Sequence, residues 1–435
     1  MNLAVVGAGF VGLVTAAVFA NFGHKVWVVE IDEDKIKKLT AGKTPFYEPG
    51  LDKLIIKNFK AGQLRFTKNY QEAICNAEVI FVCVGTPNKD GKIDLSYLRS
   101  ATESVAKNLK KPAIIIIKST APPGINKEIK KWMKKYTKIK FELASIPEFL
   151  REGKALEDTL HPYRVIIGAE KKLVVNKLLK LHRKISGKRL ICDSASAQMI
   201  KYASNAFLPT KISFANAISV LCDKFGADVN KVMAGMGMDS RIGPDFLGAG
   251  LGYGGSCFPK DVATLINLDR QVDYDFKILK AVQAANQAQI DYFIKKVVRL
   301  NGGSIKNKQS LLLRDKIIVV LGLAFKPETS DMREARSIYV IEELKKRGAK
   351  IRACDPVAIP EAKKIITGVK FVDNPYKALK GADTLLLITE WSEYKNLDFK
   401  KVKRLMKSLI VVDGRNICNR SKLRKLGFVY EGIGR

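Results

Sequence analysis

Residues 1–30, MNLAVVGAGFVGLVTAAVFANFGHKVWVVE, carry the pattern that most clearly predicts the fold. An apolar run, LAVVG at 3–7, leads into GAGFVG, and an apolar helical segment and a second apolar run, KVWVVE at 25–30, follow. Strand, glycine-rich turn, helix and strand in this order are typical of a dinucleotide-binding βαβ unit. The three glycines of this motif serve a tight turn, the approach of a pyrophosphate and the contact of helix with strand; they are Gly7, Gly9 and Gly12.

An acidic residue, Glu30, ends the second apolar run. A carboxylate there accepts hydrogen bonds from ribose hydroxyls and repels a 2′-phosphate, so we expect NAD rather than NADP. A polar strand end is the alternative interpretation of Glu30. Ligands of open α/β sheets bind at the carboxyl ends of strands. Thr86 and Thr120 follow two further apolar runs and are therefore expected to line the same edge of the sheet as Glu30. Lys35 is also expected to lie near the cofactor.

Apolar runs alternate with helical patterns elsewhere in the chain, which predicts parallel, doubly wound sheets. The further predicted strands are 79–85, 113–119, 141–147 and 164–169, and then 316–324, 350–356, 383–389 and 409–416 after the segment RLNGGSIKNK (299–308). Between the two groups, a long helical stretch contains Pro209 and ends at Gly226. We therefore predict an α/β protein with two Rossmann-like doubly wound domains, 1–197 and 301–435, joined by a central long-helix region, 198–300.

Net charge is +33 over 435 residues, which raises nucleic acid or a membrane surface as possible partners. Lysines on the solvent faces of amphipathic helices, as in INKEIKKWMKKYTKIK, account for much of this charge, and no nucleic-acid-binding motif is present. The sequence contains no long uncharged apolar window of the kind that would predict a transmembrane helix. Seven scattered cysteines without CxxC spacing argue against disulfides and structural zinc, and this set of cysteines suits a reducing cytoplasm. The three histidines show no metal-ligand spacing.

Motifs along nearly the whole chain resemble those of the UDP-glucose/GDP-mannose dehydrogenase family, and within it the UDP-glucose 6-dehydrogenases. In order they are GAGFVGL, VCVGTP, IKSTAPPG, PEFLREG, KYASNAF, SRIGP, GYGGSCFPKD, GLAFKPETSDMREARS, TEW and VDGRN. The resemblance implies an N-terminal NAD domain, a long central helix in a dimer core, and a C-terminal domain that helps to bind the nucleotide sugar. A homodimer or higher homo-oligomer is therefore expected.

The same resemblance implies oxidation of a primary alcohol to a carboxylate through a cysteine. A thiolate adds to the aldehyde formed first, and the thioester made by the second oxidation is then hydrolysed. Cys257 is the expected nucleophile, with Lys260 beside it as a cation that favours thiolate and a cofactor contact. A cysteine buried in a turn is the structural alternative.

Further catalytic roles also come from the resemblance. Lys201 and Asn205, four apart on one helical face, are expected to stabilise the oxyanion, and Asp261 is expected to activate water together with Thr120. Glu148 and Glu152, again four apart in PEFLRE, are expected at the sugar and at the water and NAD respectively; two exposed helix carboxylates are the alternative.

Anion recognition is expected from arginine and lysine side chains. Arg241 resembles an arginine that reaches the substrate of a neighbouring subunit, and Arg333 resembles one that contacts NAD. The remaining expected substrate contacts are Tyr253, Gly254, Phe325, Lys326 and Arg415. Surface residues without a ligand are the default alternative for the arginines and lysine.

UDP-glucose is the expected substrate, and UDP-glucuronate the product. The rival is the same reaction on GDP-mannose or a UDP-N-acetylhexosamine, since pocket shape sets the sugar. A distant alternative is a basic nucleic-acid-binding protein without catalysis, which the presence of Cys257, Lys201 and Asp261 disfavours.

Overall fold

A computed structural model describes residues 1–89, 92–269, 272–303 and 312–435. Residues 304–308 of the segment RLNGGSIKNK lie outside these ranges. The chain divides into two compact units, residues 1–204 and 205–435. Within the described ranges, no helix combines the length and apolarity needed to cross a membrane.

The first unit is built on one large sheet with helices on both faces. Its strands are β1 (Asn2–Val6), β2 (Lys25–Val29), β3 (Leu64–Thr67), β4 (Val79–Val82), β5 (Asn88–Lys89), β6 (Lys92–Ile93), β7 (Ala113–Ile117), β8 (Phe141–Ser145), β9 (Arg164–Gly168) and β10 (Lys188–Cys192). Its helices are α1 (Phe10–Asn21), α2 (Glu33–Thr40), α3 (Leu51–Lys60), α4 (Tyr70–Ile74), α5 (Ser96–Asn108), α6 (Ile125–Lys134), α7 (Ala155–Leu160) and α8 (Lys172–Leu181).

This sheet has the strand order β10-β9-β8-β7-β4-β1-β2-β3, and β5 and β6 form a separate antiparallel pair. The six strands β3-β2-β1-β4-β7-β8 run parallel. Counted along the chain within this set, their order is 3-2-1-4-5-6, which is that of a dinucleotide-binding domain. Both faces of β1 are buried, Leu3 and Val5 on one side and Ala4 and Val6 on the other. Burial on two faces explains why the strand is a continuous apolar run.

The second unit contains a six-stranded, wholly parallel sheet of order β13-β12-β11-β14-β15-β16, again 3-2-1-4-5-6. Its strands are β11 (Ile317–Leu321), β12 (Lys350–Cys354), β13 (Lys370–Phe371), β14 (Thr384–Leu387), β15 (Ile410–Asp413) and β16 (Val429–Gly432). The helices after the first unit are α10 (Val229–Gly237), α11 (Phe258–Asp269), α12 (Lys277–Leu300), α13 (Arg336–Lys346), α14 (Ile359–Ala362), α15 (Pro375–Leu379), α16 (Ser392–Lys395), α17 (Phe399–Leu405) and α18 (Arg420–Lys425).

The longest helix of the described chain, α9 (Ser194–Phe225), has 32 residues, and the boundary between the two units falls within it. It contains Pro209, as predicted, and Gly226 follows its last residue with a φ of 74°. A glycine in the left-handed region is the usual way to end a helix. The prediction of two Rossmann-like sheets and a long central helix is therefore confirmed.

Candidate active site

The glycine-rich turn of the first unit leaves one side of the backbone open. Gly7 has a φ of 100°, and a Cβ added to Gly12 would lie 1.9 Å from the carbonyl oxygen of Gly7, so both positions require glycine. A Cβ added to Gly9 would meet no atom within 4 Å. The turn and the helix contact therefore fix Gly7 and Gly12, while Gly9 faces space through which a ligand can approach.

Helix α1 begins at this turn without a side chain to satisfy its first N–H groups. Gly9 is the residue that precedes the helix, no side chain caps it, and no acidic residue occurs in the first turn. Unsatisfied N–H groups and the helix dipole together attract an anion at this end of a helix. The residues present thus fit the pyrophosphate of a dinucleotide.

The carboxylate of Glu30 is buried next to the same turn. It accepts hydrogen bonds from the backbone N–H groups of Ala8 (3.1 Å), Ile31 (2.8 Å) and Asp32 (3.1 Å). The ammonium of Lys35 lies 3.7 Å from it. The negative charge is therefore fixed beside the glycine turn, where it disfavours a second anionic group on the ribose.

The segments that follow strands β4 and β7 contact each other, as the sequence predicts. The hydroxyl of Thr86 donates to the carbonyl oxygen of Thr120 at 2.8 Å, and Ser119 donates to that of Val84 at 2.7 Å. Thr86 and Thr120 thus lie together at the carboxyl edge of β4 and β7.

An ion pair is buried in the first unit between Lys201 of α9 and Glu148. The ammonium nitrogen lies 2.6 Å from Oε1 of the carboxylate, and the N–H of Leu150 donates to Oε2 at 2.8 Å. Burial on its own raises the pKa of Glu148, but the charge and hydrogen bond of Lys201 outweigh it and hold the pKa below its ordinary value. The pair therefore keeps its charges in a region from which water is largely excluded.

The segment that carries Glu148 and Glu152 is not a helix, so the alternative of two exposed helix carboxylates is wrong. Residues 147–151 have no regular secondary structure and α7 starts only at Ala155. Glu148 is buried and Glu152 is half-buried, so neither is an exposed helix carboxylate. Gly153, directly after Glu152, has a φ of 80°, which a helix does not allow, so the chain turns here before α7 begins.

In the second unit, Cys257 is exposed and lies immediately before α11. The N–H of Asp261 donates to the carbonyl oxygen of Cys257 at 2.8 Å, which is the first helical hydrogen bond of α11. The thiol therefore lies at the N-terminal end of a helix, where unpaired N–H groups stabilise an anionic sulfur. The structural alternative, a cysteine buried in a turn, is wrong for Cys257.

The carboxylate of Asp261 is fully buried one turn after Cys257 and has two side-chain donors. Asn205 Nδ2 lies 2.7 Å from one oxygen and Lys260 Nζ lies 2.5 Å from the other. Lys260 therefore forms an ion pair with Asp261. Lys260 balances the buried charge, and Asn205 fixes its orientation.

The glycine-rich loop before Cys257 is filled by the chain itself, which the sequence did not indicate. A Cβ on Gly254 would lie 2.2 Å from the carbonyl oxygen of Glu334, and one on Gly255 would lie 2.7 Å from the ring of Phe325. The N–H of Gly255 donates to the carbonyl oxygen of Arg333 at 3.0 Å. These glycines thus admit the loop 325–334 rather than leaving space for a ligand.

Polar side chains that sequence reasoning missed bond to the glycine-rich loop at Tyr253 and hold that loop in place. The amide of Asn286 bonds both the N–H and the carbonyl oxygen of Tyr253, at 2.8 and 3.1 Å, and Arg336 donates to the same carbonyl oxygen at 2.6 Å. Burial raises the pKa of Tyr253 to about 12. No local motif marks Asn286 or Arg336, because their partner lies 33 and 83 residues away along the chain.

The cationic residues expected at the nucleotide lie in different settings. Arg415 donates to the carbonyl oxygens of Ile388 (2.7 Å) and Phe325 (3.3 Å), and Lys326 Nζ lies 5.8 Å from the ring centre of Phe325. The structure thus brings Phe325, Lys326 and Arg415 together. Arg333 and Arg241 are exposed, and each forms an ion pair two residues away along the chain, with Asp331 and Asp239 respectively.

Three sequence profiles of the UDP-glucose/GDP-mannose dehydrogenase family match the chain. The NAD binding domain matches residues 1–186, the central domain residues 195–288 and the UDP binding domain residues 319–420. The chain is 40% identical to the UDP-glucose 6-dehydrogenase TuaD of Bacillus subtilis over 438 residues, which cover 100% of this chain and 93% of that protein. It is also 40% identical to the UDP-glucose 6-dehydrogenase of Pseudomonas aeruginosa, with 100% and 98% of the two chains covered.

Two solved structures have the same fold over almost their whole length. The UDP-glucose dehydrogenase of the hyperthermophilic archaeon Pyrobaculum islandicum is similar with a TM-score of 0.91 and 35% identity, covering 99% of this chain and 97% of that one. The UDP-D-ManNAc dehydrogenase of Pyrococcus horikoshii is similar with a TM-score of 0.87 and 28% identity, covering 100% and 99%.

Proposed function

Because the chain belongs to the UDP-glucose/GDP-mannose dehydrogenase family, it is an NAD-dependent nucleotide-sugar dehydrogenase, and we propose that its substrate is UDP-glucose. The two bacterial relatives at 40% identity are UDP-glucose 6-dehydrogenases, whereas the relative at 28% acts on a UDP-linked ManNAc. The product would be UDP-glucuronate. The rival substrates are GDP-mannose and a UDP-N-acetylhexosamine.

The residues proposed to hold NAD are those of the glycine turn and its neighbours. Gly9 leaves space, the N-terminus of α1 receives the pyrophosphate, and Glu30 receives the ribose hydroxyls. When bound, NAD would be the oxidant and would accept one hydride in each of the two oxidations. The other proposed contacts are Lys35, Thr86, Thr120, Glu152, Lys260 and Arg333.

Cys257 is the proposed nucleophile, and its exposure at the start of α11, one turn before buried Asp261, is the observation that carries the mechanism. Its thiolate adds to the carbonyl carbon of the aldehyde, and the C–S bond prevents the aldehyde from escaping. After the second oxidation the same bond is that of a thioester. Lys201 and Asn205 are proposed to stabilise the negative oxygen of the tetrahedral species, since each is a fixed donor.

Hydrolysis then releases the acid. Water adds to the thioester carbon, the C–S bond breaks, and the thiolate leaves with its electron pair. Asp261 is proposed to accept the proton of that water, with Thr120 and Glu152 positioning it. Lys260 and Asn205 hold Asp261 in a fixed orientation for this step.

Recognition of the nucleotide sugar is proposed for a second set of residues. Arg415 and Lys326 are cations next to Phe325 and suit a diphosphate. Glu148, Tyr253 and Gly254 are proposed to shape the site of the sugar. Arg241 is proposed to reach the substrate of a neighbouring subunit.

A homodimer or higher homo-oligomer is proposed through α9. Phe207, Phe214 and Leu221 recur every seven residues on this helix, and each is about half or more exposed. A large apolar stripe on a helix surface is typical of a surface that another helix covers. We further propose that residues 1–197 bind NAD, 198–300 form the dimer region and 301–435 bind the UDP-sugar, in a cytoplasmic protein whose seven thiols stay reduced.

One experiment tests the proposed substrate. Purified protein and NAD are mixed with UDP-glucose, GDP-mannose and UDP-N-acetylhexosamines in turn, and NADH absorbance is followed. The proposal expects the highest kcat/KM on UDP-glucose, with two NADH formed per sugar. A higher kcat/KM on another member of the panel would replace UDP-glucose by that sugar.

A further inference from the structure

Glu48 is a buried carboxylate outside the proposed catalytic set that bonds directly to the segment carrying Glu148 and Glu152. Its Oε2 accepts the N–H of Gly153 and its Oε1 accepts that of Ala155, both at 2.7 Å. Glu48 precedes these residues by 105 and 107 positions. Both oxygens are thus used, one for each side of the turn that follows Glu152.

The side chain of Glu148 bonds Lys201 of α9, and three further hydrogen bonds shape the backbone locally. The N–H of Leu150 bonds to Glu148, that of Arg151 bonds to Asp158 at 2.8 Å, and that of Lys154 bonds to the carbonyl oxygen of Arg151 at 2.9 Å. Such bonds fix the shape of the turn but do not tie its far side to the rest of the unit. The contact with Glu48 does.

The segment around Glu48 is itself fixed at the cofactor turn. The ring of Phe46 stacks on that of Phe10 with 3.8 Å between centroids and 24° between planes. Phe10 is the first residue of α1, next to Gly9. Thr44, at the start of this segment, donates its N–H to Asp52 of α3 at 2.8 Å. Residues 44–50 therefore connect the glycine turn with the turn that bears Glu152.

We propose that Glu48 is a positioning residue that holds the backbone next to Glu152 and thereby sets the geometry of water in the hydrolytic step. The proposal rests on the function proposed above, which places Glu152 at that water. A carboxylate suits this task because it is acceptor-only and can receive two N–H groups at once. Phe46 extends the same support to the start of α1.

Glu48→Gln tests this with almost no change of volume. An amide offers one acceptor and turns its NH2 group toward the second N–H, so one of the two bonds is lost and a donor faces a donor. Glu142→Gln is the matched control, since Glu142 lies on β8, which leads into the same segment, and bonds an exposed lysine, Lys171. Glu48→Asp keeps the charge and shortens the chain, so it should give an intermediate result.

The first measurement is hydrogen–deuterium exchange of the peptide that contains residues 149–156, which needs no activity. In Glu48→Gln the amides of Gly153 and Ala155 should exchange about tenfold faster than in wild type, and in Glu142→Gln they should be unchanged. Unchanged exchange in Glu48→Gln would overturn the proposal. If wild type does not oxidise UDP-glucose, the proposed function fails, and exchange alone decides the role of Glu48.

The second measurement separates hydrolysis from oxidation by stopped flow with NAD and UDP-glucose. Glu48→Gln should keep the rate of the first NADH burst within about twofold while steady-state turnover falls about tenfold, with uronyl thioester accumulating on the enzyme. A purely structural role would lower both phases equally. Equal lowering, or steady-state turnover like that of Glu142→Gln, would contradict the proposal.

Discussion

The side-chain amide nitrogen of Asn205 lies 2.7 Å from Oδ2 of Asp261, whose other oxygen lies 2.5 Å from the ammonium of Lys260. The proposed base is therefore completely buried and held by two donors. Its orientation is fixed before substrate binds, and Lys260 supplies the positive charge that a buried carboxylate requires.

Asp261→Asn should slow hydrolysis far more than oxidation. The amide cannot accept a proton from water, and its NH2 group would face the donors of Asn205 or Lys260. We expect steady-state turnover to fall by about 10²–10⁴, with some hydride transfer left. Rapid-quench mass spectrometry should detect uronyl enzyme. If the variant turned over as fast as wild type, Asp261 would not be the base.

Cys257→Ala should abolish conversion of sugar to acid, because nothing remains to trap the aldehyde. Cys257→Ser is the informative companion, since a serine ester resists hydrolysis more than a thioester does. The serine variant should accumulate one uronyl nucleotide in covalent linkage, visible as added mass on the peptide that contains position 257. Cys222→Ala, which removes a buried thiol, is the control. Near wild-type acid formation by Cys257→Ala would exclude the covalent mechanism.

Glu30 should set the preference for NAD over NADP. Glu30→Ser removes the fixed negative charge beside the glycine turn and leaves the N–H groups of Ala8, Ile31 and Asp32 to face the ligand. The ratio of kcat/KM for NAD to that for NADP should fall about tenfold or more. Glu33→Gln, an exposed carboxylate on α2 paired with Lys68, should leave the ratio unchanged. Comparable use of both cofactors by wild type would contradict the assignment.

Phe214→Glu should dissociate the proposed dimer. A charge in the middle of the apolar stripe on α9 would be buried without a partner in an interface. Light scattering should show the mass of a single chain, whereas Leu173→Glu, at an equally apolar exposed position on α8, should leave the mass of wild type. A wild type that is a fully active monomer would refute the stripe as an interface.

Arg241→Ala tests the shared site separately. The side chain of Arg241 is 87% exposed, so its loss should not affect folding. If the arginine reaches the substrate of a neighbouring subunit, the KM for the nucleotide sugar should rise about tenfold or more with NAD binding nearly unchanged. Asp239→Asn, which releases Arg241 from its ion pair, should not raise the KM for the nucleotide sugar. An unchanged KM in Arg241→Ala would place the residue outside the site.

The pair of Glu148 and Lys201 predicts a dependence of stability on pH. The pKa of Glu148 in the folded protein is below its ordinary value of 4.5, so its stabilising contribution is complete above about pH 4.5 and disappears as pH falls through the folded pKa. Glu148→Gln should cost about 3–5 kcal/mol near pH 7, because the Lys201 ammonium loses its counter-charge. Calorimetry should show the difference in Tm shrinking below about pH 4.5. A constant difference down to about pH 3 would be contrary evidence.

Apart from the two-residue strands β5 and β6, the strands that sequence reasoning missed are the four edge strands of the two large sheets. They are β3, β10, β13 and β16. Interior strands of a parallel sheet are buried on both faces and read as apolar runs, whereas an edge is partly exposed. In β10, KRLIC, no residue is fully buried. Its sequence therefore carries no continuous apolar signal.

The site was predictable where one local segment supplies both the motif and its reason. The glycines of residues 7–12 and Glu30 are of this kind, whereas the role of Asp261 comes from the family resemblance and stays a proposal. Glu48, Asn286 and Arg336 were not predictable, because each is one polar residue whose partner lies far away in sequence. Nor could the spacing of Glu148 and Glu152 reveal that the segment between them is not helical.

The distribution of the seven thiols allows the chain to be labelled chemically at one position. Cys257 is exposed, whereas Cys83, Cys222, Cys354 and Cys418 are buried and Cys75 and Cys192 are half-buried. Burial raises the pKa of Cys83 and of Cys354 to about 12, so neither provides thiolate to an alkylating reagent at neutral pH. A short exposure to iodoacetamide should therefore modify Cys257 before the other thiols. The stoichiometry of that adduct would count the active centres in any preparation.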